Sequence, residues 1–127
     1  MVWMQKTKWG HAKSQTYLGQ KFDSKFEAQE AFDLEAQRKA GEIKSWKAHQ
    51  EIPLIVNGYK VCSYWIDFVI DHNDGTIEYL ETKGMVTPVW AIKWKLFCAL
   101  YEDKPGVKLT VVMQGKYRVP KVKKVKN

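Results

Sequence analysis

The run from Tyr59 to Ile70, dense in Val, Tyr, Trp, Ile and Phe, is the strongest strand signal in the chain and demands partners on a sheet. A turn cluster, Asp71 to Gly75, follows it, and Thr76 to Lys83 is the returning strand. Trp46 to Val56 precedes it across an Asn57-Gly58 turn, weakened as a strand by Pro53. Ser24-Lys25-Phe26-Glu27 reads as a capping box, opening a helix that runs to about Ala40 and stops at Gly41. Ala28, Ala31, Phe32 and Leu34 share its apolar arc, Glu27 falls at the edge of that arc and Glu35 inside it. Thr87-Pro88 supplies an N-cap and first helical residue for a second helix to about Tyr101, and Val107 to Met113 is a last apolar strand. The expected order is helix-strand-strand-strand-helix-strand, an α/β domain with a mixed central sheet.

Inside the most apolar strand sits Asp67, flanked by Ile66 and Phe68. A carboxylate there must be hydrogen-bonded, paired or on a metal to offset its desolvation. Its companion is Glu81-Thr82-Lys83. Acid-x-base triplets are common, and about two are expected by chance in a chain of this size. Four occur: Asp23/Lys25, Glu42/Lys44, Glu81/Lys83 and Glu102/Lys104. Only Glu81/Lys83 lies within a predicted strand, where alternation puts both side chains on one face with Ile77 and Tyr79.

The hairpin sets a geometric condition. With a three-residue loop, Asn73-Asp74-Gly75, and Gly75 left-handed, His72 faces Thr76 and Asp67 sits directly opposite Glu81. A two-residue Asp74-Gly75 loop puts the two acids on opposite faces instead. Like charges directly opposite are normally destabilising, and a divalent cation reverses that sign because it needs clustered oxygens. Hard oxygens hold Mg2+ or Mn2+, which neutralises a scissile phosphate and lowers the pKa of a bound water. A lysine beside that water orients it and offsets charge in the transition state. Glu27, entering from the first turn of a helix, either completes such a metal shell or serves only as a cap.

The 127 residues fit one domain, and the net charge of +7 is unevenly spread. Residues 1–21 hold four Lys and no acid, residues 116–127 hold five Lys and one Arg, and residues 22–115 carry a net −3. The division is a basic N-terminal arm (1–21), a folded domain (22–115) and a basic, unpaired C-terminal tail (116–127). Basic arms on an acidic core suit a polyanion partner. Cys62 and Cys98 lack zinc or disulfide spacing and read as reduced packing residues. With no apolar run of membrane length and no signal-peptide core, the expectation is a cytoplasmic protein without a membrane partner.

Asp67…Glu81-Thr82-Lys83-Gly84 resembles the PD-(D/E)XK nuclease superfamily, the restriction-endonuclease-like fold. Ser24-x-x-Glu27 on the first helix and Glu81-Thr82-Lys83-Gly84 after the hairpin resemble, within it, the phage endonuclease I type of Holliday junction resolvase. The likeness covers roughly residues 22–113, with Ile66 standing where the family usually has Pro. The resemblance implies an Mg2+-dependent endonuclease, Mn2+ substituting, that acts on branched DNA as a homodimer. Glu27, Asp67 and Glu81, with Thr82, would hold the metal, and Lys83 would be the catalytic lysine.

Lys93 and Lys95 on the second helix, with Lys116, Arg118, Lys121, Lys123 and Lys124 in the tail, are candidate DNA contacts. Trp90 and Trp94, four apart, read as helix packing or a dimer seam. Trp3, Trp9 and Tyr17 interleave with Lys6, Lys8 and Lys13 in the N-terminal arm, which suits single-strand or junction contacts as well as an arm swapped onto a partner. His11, His49 and His72 show no catalytic spacing, and His49 is most simply a strand residue. The rival readings are a sequence-specific or linear-DNA endonuclease and a nucleic-acid-binding accessory protein without catalysis.

Overall fold

A four-stranded mixed sheet with one helix to each of two hydrophobic cores frames the protein, as seen in a computed structural model that describes residues 15–22 and 24–126. In chain order the elements are β1 (Gln15–Tyr17), β2 (Gln20–Phe22), α1 (Lys25–Lys39), β3 (Ser45–Val56), β4 (Tyr59–Asp71), β5 (Ile77–Lys83), α2 (Pro88–Tyr101) and β6 (Val107–Met113). The sheet order is β3-β4-β5-β6, with β5 and β6 parallel and the other pairs antiparallel. The α/β class and mixed sheet agree with expectation.

The element order needs correction. Two short strands precede α1, so residues 15–22 are no arm but a hairpin whose Phe22 is wholly buried in the core of α1. The hairpin escaped notice because each strand is three residues long and its turn is made by Leu18 (φ 54) and Gly19 (φ 75). Leucine is a poor candidate for that left-handed position. Residues 114–126 form no regular element, yet Val119 packs on the α2 core and Lys124 pairs with Asp103 at 3.0 Å, so this segment is docked rather than loose.

The helix ends follow the local chemistry. Ser24 accepts a hydrogen bond from the Glu27 amide (3.1 Å), and Thr87 caps α2 by accepting from the Trp90 amide (3.3 Å) ahead of Pro88. Gly41 (φ 77) closes α1 with paired bonds, Gly41 N–H to Arg38 C=O and Glu42 N–H to Gln37 C=O, the Schellman arrangement. On α1, Ala31 and Leu34 are buried, and Glu35 lies inside the arc because Arg38 binds it at 2.8 Å through two nitrogens and Trp46 Nε1 at 3.0 Å. Phe32 departs from the expected arc: it is half exposed, its ring 5.7 Å from that of Tyr17.

β3 and β4 change the helix they serve halfway along. Ala48, Phe68 and Ile70 pack with α1, whereas Ile52, Leu54, Tyr64 and Ile66 pack with α2. A regular strand keeps Ile66 and Phe68 on one face. Here Val69 and Tyr79, from the opposite face, join the α2 core. The change of face falls at His49 and Asp67, where the β3–β4 ladder skips a pair and His49 takes φ 57.

Candidate functional site

Asp67 stands where the sheet comes apart. The β4–β5 ladder runs from Asp71↔Ile77 to Phe68↔Leu80 and then stops, and on the other side the His49/Asp67 pair is missing from the β3–β4 ladder. The hairpin loop is Asn73-Asp74-Gly75, with Gly75 at φ 90 and the His72 amide bonded to the Thr76 carbonyl (2.9 Å). This is the three-residue loop the site requires, and one further step in register brings Asp67 opposite Glu81. The carboxylates then do what ladder carbonyls would have done. Thr82 donates to Asp67 Oδ2 through its amide (2.9 Å) and its hydroxyl (2.8 Å), and the Asp67 amide points at Glu81 Oε1 (3.4 Å).

Glu81 is buried at 3% exposure and Asp67 is partly exposed, so the pair has a solvent side. Lys83 Nζ lies 3.5 Å from Glu81 Oε2. Burial, reinforced by the Asp67 charge and opposed by Lys83, pushes Glu81 up to about 8. Burial also raises Asp67, against the two Thr82 hydrogen bonds, the Lys83 charge and a hydrogen bond with Glu27. Desolvation is the largest cause for both acids.

Glu27 joins from α1. It is buried at 4% exposure, its carboxyl group shares a hydrogen bond with Asp67, and its Oε2 lies 3.0 Å from His49 Nε2. The amide of Glu27 serves the cap while its carboxyl faces the site, so the cap and site readings are compatible. Glu27, Asp67, Glu81, Thr82 and Lys83 are therefore gathered in one place.

The donor set consists of carboxylate oxygens, hard ligands suited to Mg2+ or Mn2+ rather than zinc. Among the described residues, no group of three or more His, Cys, Asp or Glu side chains is arranged to hold a metal ion. Asp67 Oδ2 is engaged by Thr82, and the Glu27 carboxyl by Asp67 and His49. Coordination by Asp67, Glu81 and Glu27 together would replace hydrogen bonds already in the cluster. The residues fit a hard cation by chemistry, and the third ligand is the one that must turn.

Two participants escaped the sequence reading. His49 carries the strained φ and the tether to Glu27, and its ring packs 5.3 Å from that of Phe22. Tyr64, only 3% exposed, neighbours Glu81 and accepts from Trp90 Nε1 at 3.0 Å. A His or Tyr in a strand is ordinary composition, so only the change of face at Asp67 reveals them.

The basic candidates divide. Lys93 donates to the Ser63 carbonyl (3.3 Å), and Lys95, Lys116, Arg118, Lys121, Lys123 and Lys124 are exposed, Lys124 in its pair with Asp103. The C-terminal segment leaves β6 beside the site, since the Gln114 amide bonds the Lys83 carbonyl at 2.8 Å. Trp90 and Trp94 are core residues with stacked rings 5.8 Å apart, packing within this chain. His72 binds Glu78 at 2.7 Å, and the thiols of Cys62 and Cys98 are free and half-buried. Trp3, Trp9, Lys6, Lys8, Lys13, His11 and Asp23 lie outside the described residues. Among the described residues no helix is long and apolar enough to cross a membrane.

A family model described as "Protein of unknown function (DUF1064)" matches residues 6–119, and the chain belongs to that family. Comparison with curated proteins and with solved structures returned no match in either set.

Proposed function

We propose that this protein is a metal-dependent endodeoxyribonuclease built on a restriction-endonuclease-like core and selective for branched DNA. The observation that carries this reading is the Asp67–Glu81 pair: two carboxyls of raised proton affinity, side by side at an interrupted ladder, with Lys83 Nζ 3.5 Å away. A structural ion pair would set one acid against one base, whereas here two acids outnumber the lysine and a third, Glu27, reaches Asp67. Mg2+, held by Asp67, Glu81 and Glu27 beside Thr82, would neutralise the scissile phosphate and acidify a water.

The chain's own groups supply the rest. Lys83, backed by Glu81 and partly open to solvent, orients the attacking water and offsets the charge that develops on the phosphate. The docked basic segment after Gln114, with Lys121 and Lys123 exposed, gives the DNA backbone a cationic path toward the site. A homodimer making paired nicks, working in the cytoplasm, is the corresponding assembly. A second reading, a DNA-binding accessory protein, draws on one observation: Thr82 already satisfies Asp67 Oδ2 with two hydrogen bonds.

The discriminating experiment incubates a four-way junction, linear duplex and single strand with the protein in Mg2+ or EDTA. Cutting of the junction in Mg2+ alone is expected, and Asp67→Ala and Lys83→Ala should bind the junction without cutting it. Binding without cutting by the unaltered protein selects the accessory reading. Cutting that survives both substitutions places the chemistry elsewhere.

A further inference from the structure

Tyr64 on β4 and Trp90 on α2 stand behind the site, and between them they reach Glu81 and Lys83. Trp90 Nε1–H donates to Tyr64 Oη over 3.0 Å, and Tyr64 in turn neighbours Glu81. The same indole presents its face to Lys83, whose Nζ lies 5.0 Å from the ring centroid. An indole nitrogen only donates, so Tyr64 Oη must accept there, and its one O–H is left for the Glu81 carboxylate.

Packing alone does not account for the arrangement. Tyr64 stacks with Phe97 and Trp94 at 5.2 and 6.1 Å, contacts that a phenylalanine would make equally well without placing a hydroxyl in an apolar core. The polar chain ends on a site carboxylate, and the cation–π contact ends on the site lysine. We infer that Tyr64 and Trp90 act as a positioning pair, Tyr64 holding the Glu81 carboxylate in one orientation and the Trp90 ring steering Lys83. The inference rests on the endonuclease reading and adds to it what keeps Glu81 and Lys83 in register with each other.

The test uses the full chain, unaltered and as Tyr64→Phe, Trp90→Phe and Trp90→Leu, with Mn2+ affinity by calorimetry and junction cleavage measured separately. Partners that orient metal ligands typically change affinity or activity by about 10–100-fold. Tyr64→Phe is expected to weaken Mn2+ binding and lower kcat by about that range at unchanged KM for DNA. Trp90→Phe, which keeps a ring face, should match it in Mn2+ affinity, and Trp90→Leu should lose kcat further without further loss of Mn2+. In the unaltered protein, Mg2+ titration should move the Trp90 indole N–H resonance, a readout that needs no variant to fold. A folded Tyr64→Phe with unaltered Mn2+ affinity and kcat, or an indole resonance that ignores Mg2+, overturns the positioning role while leaving the nuclease reading standing. Unaltered protein that neither binds Mn2+ nor cuts DNA removes both.

Discussion

Glu81 puts a cost on the fold that depends on pH. Its folded pKa, pushed up to about 8 by burial and then by Asp67, lies above the ordinary value of 4.5. The folded state therefore binds more protons than the unfolded one between those values, and stability falls as pH rises through that window, by a few kcal/mol in all. Glu81→Gln keeps an acceptor for Tyr64 and the Asp67 amide but has nothing to ionise. In EDTA it should melt no higher than the unaltered protein near pH 4 and clearly higher at pH 8.5, and parallel melting curves would refute the assignment. Millimolar Mg2+ should raise the unaltered protein's Tm at pH 8.5 and leave the variant's nearly unmoved. His49 splits stability from activity. Its φ of 57 costs about 1 kcal/mol in a residue with a Cβ, and its bond to Glu27 returns a similar amount. His49→Gly should shift the denaturant midpoint little while lowering cleavage about tenfold. Asp67, Glu81 and Lys83 were legible as charges in strands that otherwise bury apolar side chains. His49 and Tyr64 were not, because nothing in their composition distinguishes them from neighbours that only pack.

At the scale of elements, the loop between β4 and β5 decides whether there is a site. Side chains alternate along a strand, so one residue more or less in the loop turns Glu81 and Lys83 away from Asp67 and turns Leu80 out of the α1 core. Gly75 at φ 90, bonded through its amide to His72 C=O (3.0 Å), fixes the three-residue form. Gly75→Ala, with open space around the added Cβ but a strained backbone, should cost about 1–2 kcal/mol in urea melts and leave Mn2+ binding intact. Deleting Asn73 should abolish Mn2+ binding even in protein that retains far-UV helix and strand signals. The position of Gly75 made this loop readable in advance. The hairpin before α1 was not readable, because three-residue strands give too short a period. Phe22, which seals the core there, looks like any isolated apolar residue.

Over the whole molecule, charge and packing are arranged together, and this decides how the basic C-terminus must be tested. Sequence alone reads residues 116–127 as a solvated tail, since runs of lysine usually are. The structure instead seats Val119 on the α2 core and pairs Lys124 with Asp103, leaving Lys121 and Lys123 exposed between these two anchors. The lysine pattern was legible, but the anchoring was not, because it depends on a second core created where β3 and β4 change face. Truncating the segment would therefore remove core packing along with charge, and a loss of DNA binding could not be assigned to either. Neutralising the exposed positions separates them. Lys121→Gln with Lys123→Gln should leave Tm within about 1 °C, as surface changes usually do. Each phosphate contact contributes about −0.9 to the slope of log K against log salt on duplex DNA, so the double variant should flatten that slope by up to about 1.8. Lys124→Gln, whose charge is already committed to Asp103, should flatten it by much less. Equal effects from Lys124 and from Lys121 or Lys123 would mean that the segment acts by its total charge alone, and that its docking against α2 does not direct DNA toward Lys83.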